Sequence, residues 1–121
     1  MMRLTSTVLG TPEPRKLARF YQALLGWPLG ADDPDWVTLR PEGGGPGLSF
    51  QREEDHLPPS WPAHPGDQQM MLHLDIEADD LAEAAAQAEA AGAQLAAFQP
   101  QEHVRVYLDP AGHPFCLWTN P

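Results

Sequence analysis

The chain has one cysteine, two tyrosines and only seven basic residues among 121, and it has no long apolar run. A single cysteine excludes an internal disulfide, and the absence of a CxxC pair excludes a structural zinc ribbon. Seven Lys and Arg against seventeen Asp and Glu leave a formal charge of −10, with no basic stripe on the acidic background. Such a balance repels phosphate backbones, so nucleic acid is not an expected partner. No stretch approaches the roughly 18 to 20 apolar residues of a membrane span, and a soluble protein with no membrane partner is expected. The opening residues, MMRLTSTVLG, enter a strand pattern directly and lack the apolar segment and small-residue cleavage site of a secretory signal. A cytoplasmic location is the expectation that follows.

What is present has the size and composition of one compact domain, with 42% apolar residues. Residues 4–9, LTSTVL, suit a short strand. Thr11 is a helix N-cap candidate with Pro12 and Glu13 in the first turn, and Leu17, Phe20, Tyr21, Leu24 and Leu25 then recur at helical spacing until Gly26. Three strands are predicted next, at 27–30, 36–40 and 48–51, with the glycine-rich stretch 43–47 as the hairpin loop between the last two.

The second half repeats this order. Residues 70–76, MMLHLDI, alternate as a strand that puts Leu72, Leu74 and Ile76 on one face and Met71, His73 and Asp75 on the other. Asp79 or Asp80 caps a helix with an apolar face of Leu81, Ala84, Ala85, Ala88 and Ala91, and Gly92 ends it. Strands are predicted at 94–98, 103–108 and 115–119, the last two joined by the turn Asp109-Pro110-Ala111-Gly112. Laying residues 25–29 over 91–95 brings the halves into register, and two βαβββ units are the simplest account. The intervening residues 53–69 are rich in proline and predict either a stiff, largely extended crossover or a lid or arm on a second subunit, anchored by Trp61.

Several side chains are candidates for chemistry. Alternation puts Cys116 and Trp118 on one face of the last strand, opposite Phe115 and Leu117. The Cys116 thiol reads either as a small buried hydrophobe or, if His73 lies within hydrogen-bond reach, as half of a thiolate-imidazole pair. Arg105 and Tyr107 share a face with His103. They meet solvent or a second subunit there, or line a ligand site where Arg105 pairs with a carboxylate and Tyr107 donates or stacks. Trp36 and Trp118 read as apolar wall of such a site or as core. His56, His64 and His113 lack the spacing of a metal site.

The segments LARFYQALLGW at 17–27, GLSFQR at 47–52, HLDIEADDL at 73–81 and VYLDPAGHPFCL at 106–117 come in an order and spacing that resemble the vicinal oxygen chelate superfamily. This is the glyoxalase, bleomycin-resistance and extradiol dioxygenase group, and the similarity is to its small glyoxalase-like branch. The resemblance implies an α+β fold of two βαβββ modules forming a curled mixed sheet cup, commonly completed as a homodimer. It divides a single glyoxalase-like domain over residues 1–121 into module 1 at 1–52, a Pro-rich crossover at 53–69 and module 2 at 70–121.

In metal-dependent members of that superfamily, side chains from the first and last strand of each module hold a divalent ion. The matching positions here are Ser6 or its neighbour Thr7, Gln51, His73 and Cys116, of which only His73 is a typical ligand. A hard ion would find no charge compensation in a hydroxyl, an amide and a thiol. No cofactor is therefore expected, and a divalent metal, should one bind, would be a soft ion held by His73 and Cys116 with Gln51. The implied function is binding of a small molecule without the family's metal, in the sequestering manner of drug-resistance relatives. Ser6, Gln51, Arg105, Tyr107, Trp36 and Trp118 are the expected ligand contacts, and the acidic balance suits a cationic, partly aromatic ligand. The alternative is an enzyme, either a metal-dependent lyase, isomerase or dioxygenase using His73, or a metal-free acid-base catalyst using His73 and Cys116.

Overall fold

Five elements make the first half: β1 (Ser6–Thr11), α1 (Pro14–Leu25), β2 (Leu29–Asp33), β3 (Trp36–Leu39) and β4 (Gly47–Arg52). They belong to a computed structural model that describes residues 1–120 and divides into two units meeting between His56 and Leu57. Helix α1 starts two residues later than the Thr11 cap would place it. Thr11 Oγ1 instead accepts the Glu13 N–H at 3.1 Å, and Pro14, which has no N–H to satisfy, takes the first helical position. Gly26 ends the helix in the left-handed conformation at φ 70°, with its N–H donating to Gln22 O at 2.8 Å.

The first sheet has the strand order β1-β4-β3-β2, parallel between β1 and β4 and antiparallel elsewhere. Leu9, Val37, Leu39, Leu48 and Phe50 are buried on the face that meets the Leu17, Phe20 and Tyr21 side of α1. The Tyr21 ring stacks on Phe50 with centroids 5.9 Å apart, and Phe20 meets Tyr21 edge-on at 4.9 Å. By alternation the other face carries Ser6, Val8, Ser49, Gln51, Trp36 and Thr38.

The second unit repeats the pattern with β5 (Leu74–Glu77), α2 (Leu81–Ala91), β6 (Gln94–Leu95), β7 (Val104–Leu108) and β8 (Pro114–Trp118), in the sheet order β5-β8-β7-β6. Both units are thus βαβββ, in an α+β fold. Asp80 is the cap of α2, its carboxylate accepting the Glu83 N–H at 3.0 Å. The predicted apolar face holds: Ala88 is buried and Leu81, Ala84, Ala85 and Ala91 are half-buried.

Strands β1 and β2 lie about two residues later than the expected 4–9 and 27–30, and three further segments differ from the sequence expectation. Strand β5 begins at Leu74, not at residue 70, so His73 lies just ahead of it. Its ladder starts where Leu74 meets Phe115, beside Pro114, which has no N–H to offer. Strand β6 is two residues long because the Gln99 side chain takes over the pairing: its amide N donates to Ala96 O and Val106 O, and its amide O accepts Val106 N–H. The proline-rich segment is not extended. Ser60 N–H donates to Gln68 O, closing a loop, and His64 and Asp67 exchange two hydrogen bonds inside it. Trp61 is its anchor within the same chain, donating from Nε1 to Phe98 O at 3.1 Å with the two rings 6.0 Å apart. Among the described residues no helix is long and apolar enough to cross a membrane.

The turn before β8 is built around Asp109, which is 4% exposed. Its Oδ1 accepts the N–H groups of Ala111 and His113 at 2.9 and 3.0 Å, while Gly112 at φ 86° donates to Asp109 O. Asp109→Ala removes the charged acceptor of two half-buried N–H groups and is expected to lower stability by about 2 kcal/mol, read as a lower urea midpoint at unchanged slope. A midpoint shift worth less than about 0.5 kcal/mol would show that the turn does not depend on this carboxylate.

Candidate functional site

The face of the first sheet that points away from α1 contains a pocket of about 270 Å³ lined by Ser6, Val8, Trp36, Thr38, Arg40 and Ser49, among others. Ser6 Oγ and Ser49 Oγ are 2.6 Å apart, and Ser49 is only 2% exposed. One proton joins this hydroxyl pair; when Ser49 is its donor, the Ser6 proton is directed at Thr7 O at 3.3 Å, a long bond that an acceptor on a ligand can replace. Thr38 is committed to the protein, its hydroxyl accepting the Ala31 N–H at 2.8 Å. Trp36 is half-buried and supplies the apolar wall. Gln51 is paired in register with Trp36, but its amide donates to Glu53 at 2.8 Å and it does not line the pocket.

The second sheet gathers a different chemistry on the face away from α2. Asp75 and Cys116 are partners in the parallel β5–β8 ladder, and His73 stands two residues before Asp75, on the same side. His73 Nε2 lies 3.1 Å from Asp75 Oδ1, and one donor atom each from His73, Asp75 and Cys116 all lie within 4.8 Å of one another. Trp118 follows on that face, opposite Glu77 in the ladder. The structure therefore brings His73 and Cys116 together and adds Asp75, which was not among the expected site residues. Its signal was in the sequence as the next same-face position after His73.

Electrostatics decide the state of the thiol. Cys116 is pushed up from its ordinary 9.0 to about 11, by burial first and then by the charge of the Asp75 carboxylate and the thiol's hydrogen bond to it. At neutral pH the thiol is protonated, which removes the thiolate from any thiolate-imidazole pair.

Arg105 and Tyr107 lie on the opposite face from Cys116, which corrects their expected place in the ligand site. The β7–β8 register pairs Tyr107 with Phe115 and Arg105 with Leu117, the residues that face α2. Tyr107 is 1% exposed, stacks on Phe115, and donates its hydroxyl proton to Glu89 Oε2 of α2 at 2.7 Å. Burial, and then the hydrogen bond and charge of Glu89, push its phenol up to about 12, with Arg105 opposing. The Arg105 guanidinium donates to the carbonyls of Glu102 and Val104, both at 2.9 Å.

The metal-dependent arrangement of the superfamily can be tested against these donors. Ser6 and Gln51 bring neutral atoms already bonded to Ser49 and Glu53. His73, Asp75 and Cys116 instead bring nitrogen, oxygen and sulfur with one carboxylate charge, all from the second unit. Three such donors are the number a catalytic zinc site uses, and the mixture suits zinc better than Mg²⁺, which wants near-octahedral oxygen. These residues fit a zinc-type ion once the thiol is deprotonated.

Comparison with known proteins places the chain. A glyoxalase/bleomycin resistance protein/dioxygenase family enzyme from Burkholderia phytofirmans is 19% identical, with a TM-score of 0.71 over 98% of each chain. A glyoxalase-related enzyme from Fulvimarina pelagi is 19% identical at a TM-score of 0.70, over 100% of this chain and 90% of its own. An antibiotic-binding protein from a Streptomyces species is 20% identical at a TM-score of 0.61, over 100% of this chain and 98% of its own. At these identities the likeness is one of fold. No curated protein matches the chain significantly. The model of the glyoxalase-like domain matches residues 6–118, nearly the whole chain, and the protein belongs to that family, within the vicinal oxygen chelate superfamily.

Proposed function

We propose that this chain is a glyoxalase-like small-molecule-binding protein that holds its ligand in the pocket of the first sheet without turning it over there. The observation that carries this reading is the lining of the pocket. It offers hydroxyls, an indole and a guanidinium, but no thiol, imidazole or carboxylate lines it to serve as nucleophile or general base. Its volume of about 270 Å³ is near the low end of small-molecule sites, which run from about 300 to 1,000 Å³. The antibiotic-binding Streptomyces neighbour supports the use of this scaffold for holding a small molecule.

A second reading, an enzyme, is favoured by one specific observation: the convergence of His73, Asp75 and Cys116 within 4.8 Å. Those residues would hold a zinc-type ion, which when bound supplies Lewis-acid polarisation of a carbonyl or phosphoryl oxygen. His73 and Asp75 are both more than a third exposed and could reach a ligand or hand a proton to one.

Elemental analysis of untagged, native-purified protein separates the two readings, run beside His73→Ala. The binding reading expects metal far below one per chain in both proteins. About one ion per chain, lost in the variant, would replace it with the metal-dependent reading. The thiol gives an independent check. At about pH 8, iodoacetamide should label Cys116 in the folded protein on the order of a hundredfold more slowly than in the urea-unfolded chain, since a shift from 9.0 to about 11 removes that share of thiolate. Equal rates would show a thiol of ordinary acidity at Cys116 and overturn its suppression by burial and Asp75.

A further inference from the structure

We propose that the pocket of the first sheet takes an anion, a single carboxylate on a small, flat, apolar body, with Arg40 as its counter-ion. This rests on the reading of that pocket as the ligand site and names the class of ligand. Cations are scarce in this chain, and most are already used. Arg15 pairs with Asp32 at 2.9 Å, Lys16 with Glu13 at 3.8 Å, and Arg52 with Asp35 and Glu54 at 3.2 and 3.4 Å. Arg105 is spent on two backbone carbonyls. Arg40 lines the pocket, and among the described residues it has no ion pair or side-chain hydrogen bond. Among the described residues Arg3, Arg19 and Arg40 have neither an ion pair nor a side-chain hydrogen bond, and of these three only Arg40 lines the pocket, where a guanidinium beside hydroxyls suits a carboxylate.

The backbone around it is shaped for close approach. Gly30 on β2 has no Cβ, and one built there would meet the Thr38 hydroxyl and lie 3.3 Å from Arg40 Nε, so the Arg40 side chain passes over a position that glycine leaves open. A Cβ on Gly47 would meet the Leu39 carbonyl oxygen, and Gly47 also lines the pocket. Glycine inside a strand marks a place where a ligand or another backbone comes near. Beside this floor stands the Ser6–Ser49 hydroxyl pair, whose Ser6 proton is otherwise held only by the 3.3 Å bond to Thr7 O, and Trp36 supplies a face for a flat apolar body.

The sign and size of the ligand follow. No carboxylate lines the pocket; Glu53 is packed over Gly10 and already accepts from Gln51. A lone guanidinium with a hydroxyl matches a carboxylate, which accepts two parallel N–H bonds, better than a phosphate dianion, which calls for more positive charge. The local lining thus opposes the cationic ligand that the net charge alone suggested, because net charge governs solubility and long-range attraction, and the contact groups govern recognition.

The test is an amide-resolved NMR titration of the whole chain with phenylacetate and with its neutral analogue phenylacetamide, both at millimolar concentration. Shifts are expected at Ser6, Trp36 and Ser49, with phenylacetate bound about tenfold more tightly. Arg40→Gln should abolish that preference, lowering phenylacetate to about the affinity of the amide. Arg19→Gln, on α1 and also without an ion pair, should leave the preference intact. Equal affinities with shifts at the pocket would overturn the anion assignment while the pocket remained the ligand site. No pocket shifts with either compound would overturn both readings. Inorganic phosphate displacing phenylacetate in an Arg40-dependent way would overturn the carboxylate in favour of a phosphate.

Discussion

The parallel pairing of first strand with last, β1 with β4 and β5 with β8, is the constraint on which the rest of each unit depends. It lays the two strands side by side at the edge of the sheet order, so the residues that alternate toward the face away from the helix come from both chain segments at once. Ser6 is separated from Ser49 by 43 residues, and Asp75 from Cys116 by a comparable stretch, yet each pair ends on one surface. The register is specified by burial. Moving β4 by one residue would turn Leu48 and Phe50 off the α1 face and put Ser49 in their place, and the same slip in β8 would exchange Cys116 for Leu117. The hydrophobic side of each sheet thereby holds the polar side in place.

The two units use the same topology with different filling. Helix α1 offers Leu17, Phe20 and Tyr21, which bury an aromatic cluster against Phe50. Helix α2 offers alanines, and Ala88 alone of its residues is fully buried. Small side chains leave room between helix and sheet, and the sheet fills it with Tyr107, whose ring stacks on Phe115 and whose hydroxyl must find a partner when buried. Glu89 on α2 provides that partner. The alanine-rich helix thus explains why Tyr107 is structural and why the face bearing Cys116 receives Val104 and Val106 instead.

Much of this architecture is legible in the sequence because periodicity and punctuation agree. Gly26, Gly92 and Asp80 end or begin helices where expected, and the alternation of Leu74 and Ile76 against Asp75 survives in the folded strand. What alternation cannot state is which face meets the helix. In β7 both faces carry bulky residues, and only the ladder with Phe115 and Leu117 shows that Arg105 and Tyr107 are the inner ones. Side-chain substitution for backbone is likewise invisible, as with Gln99 shortening β6. Arg40 escaped notice for a third reason. An arginine acquires meaning from the partners it does not have, and that inventory exists only once Arg15 and Arg52 have been seen beside Asp32 and Asp35.

The trio in the second unit shows how one carboxylate can set two opposite chemistries. Asp75 sits beside a half-buried thiol, and its charge adds to burial in opposing the thiolate, so the trio is held in its neutral-thiol form. The same carboxylate would be the only permanent negative charge among the three donors if a divalent cation were present, and a cation reverses the local preference by favouring the ionised sulfur. Cys116 as such therefore marks neither a nucleophile nor a vacated ligand position. Its behaviour is set by what stands across the β5–β8 ladder, and a neutral residue in place of Asp75 would ease ionisation of the thiol while removing the charge that makes the trio fit a metal.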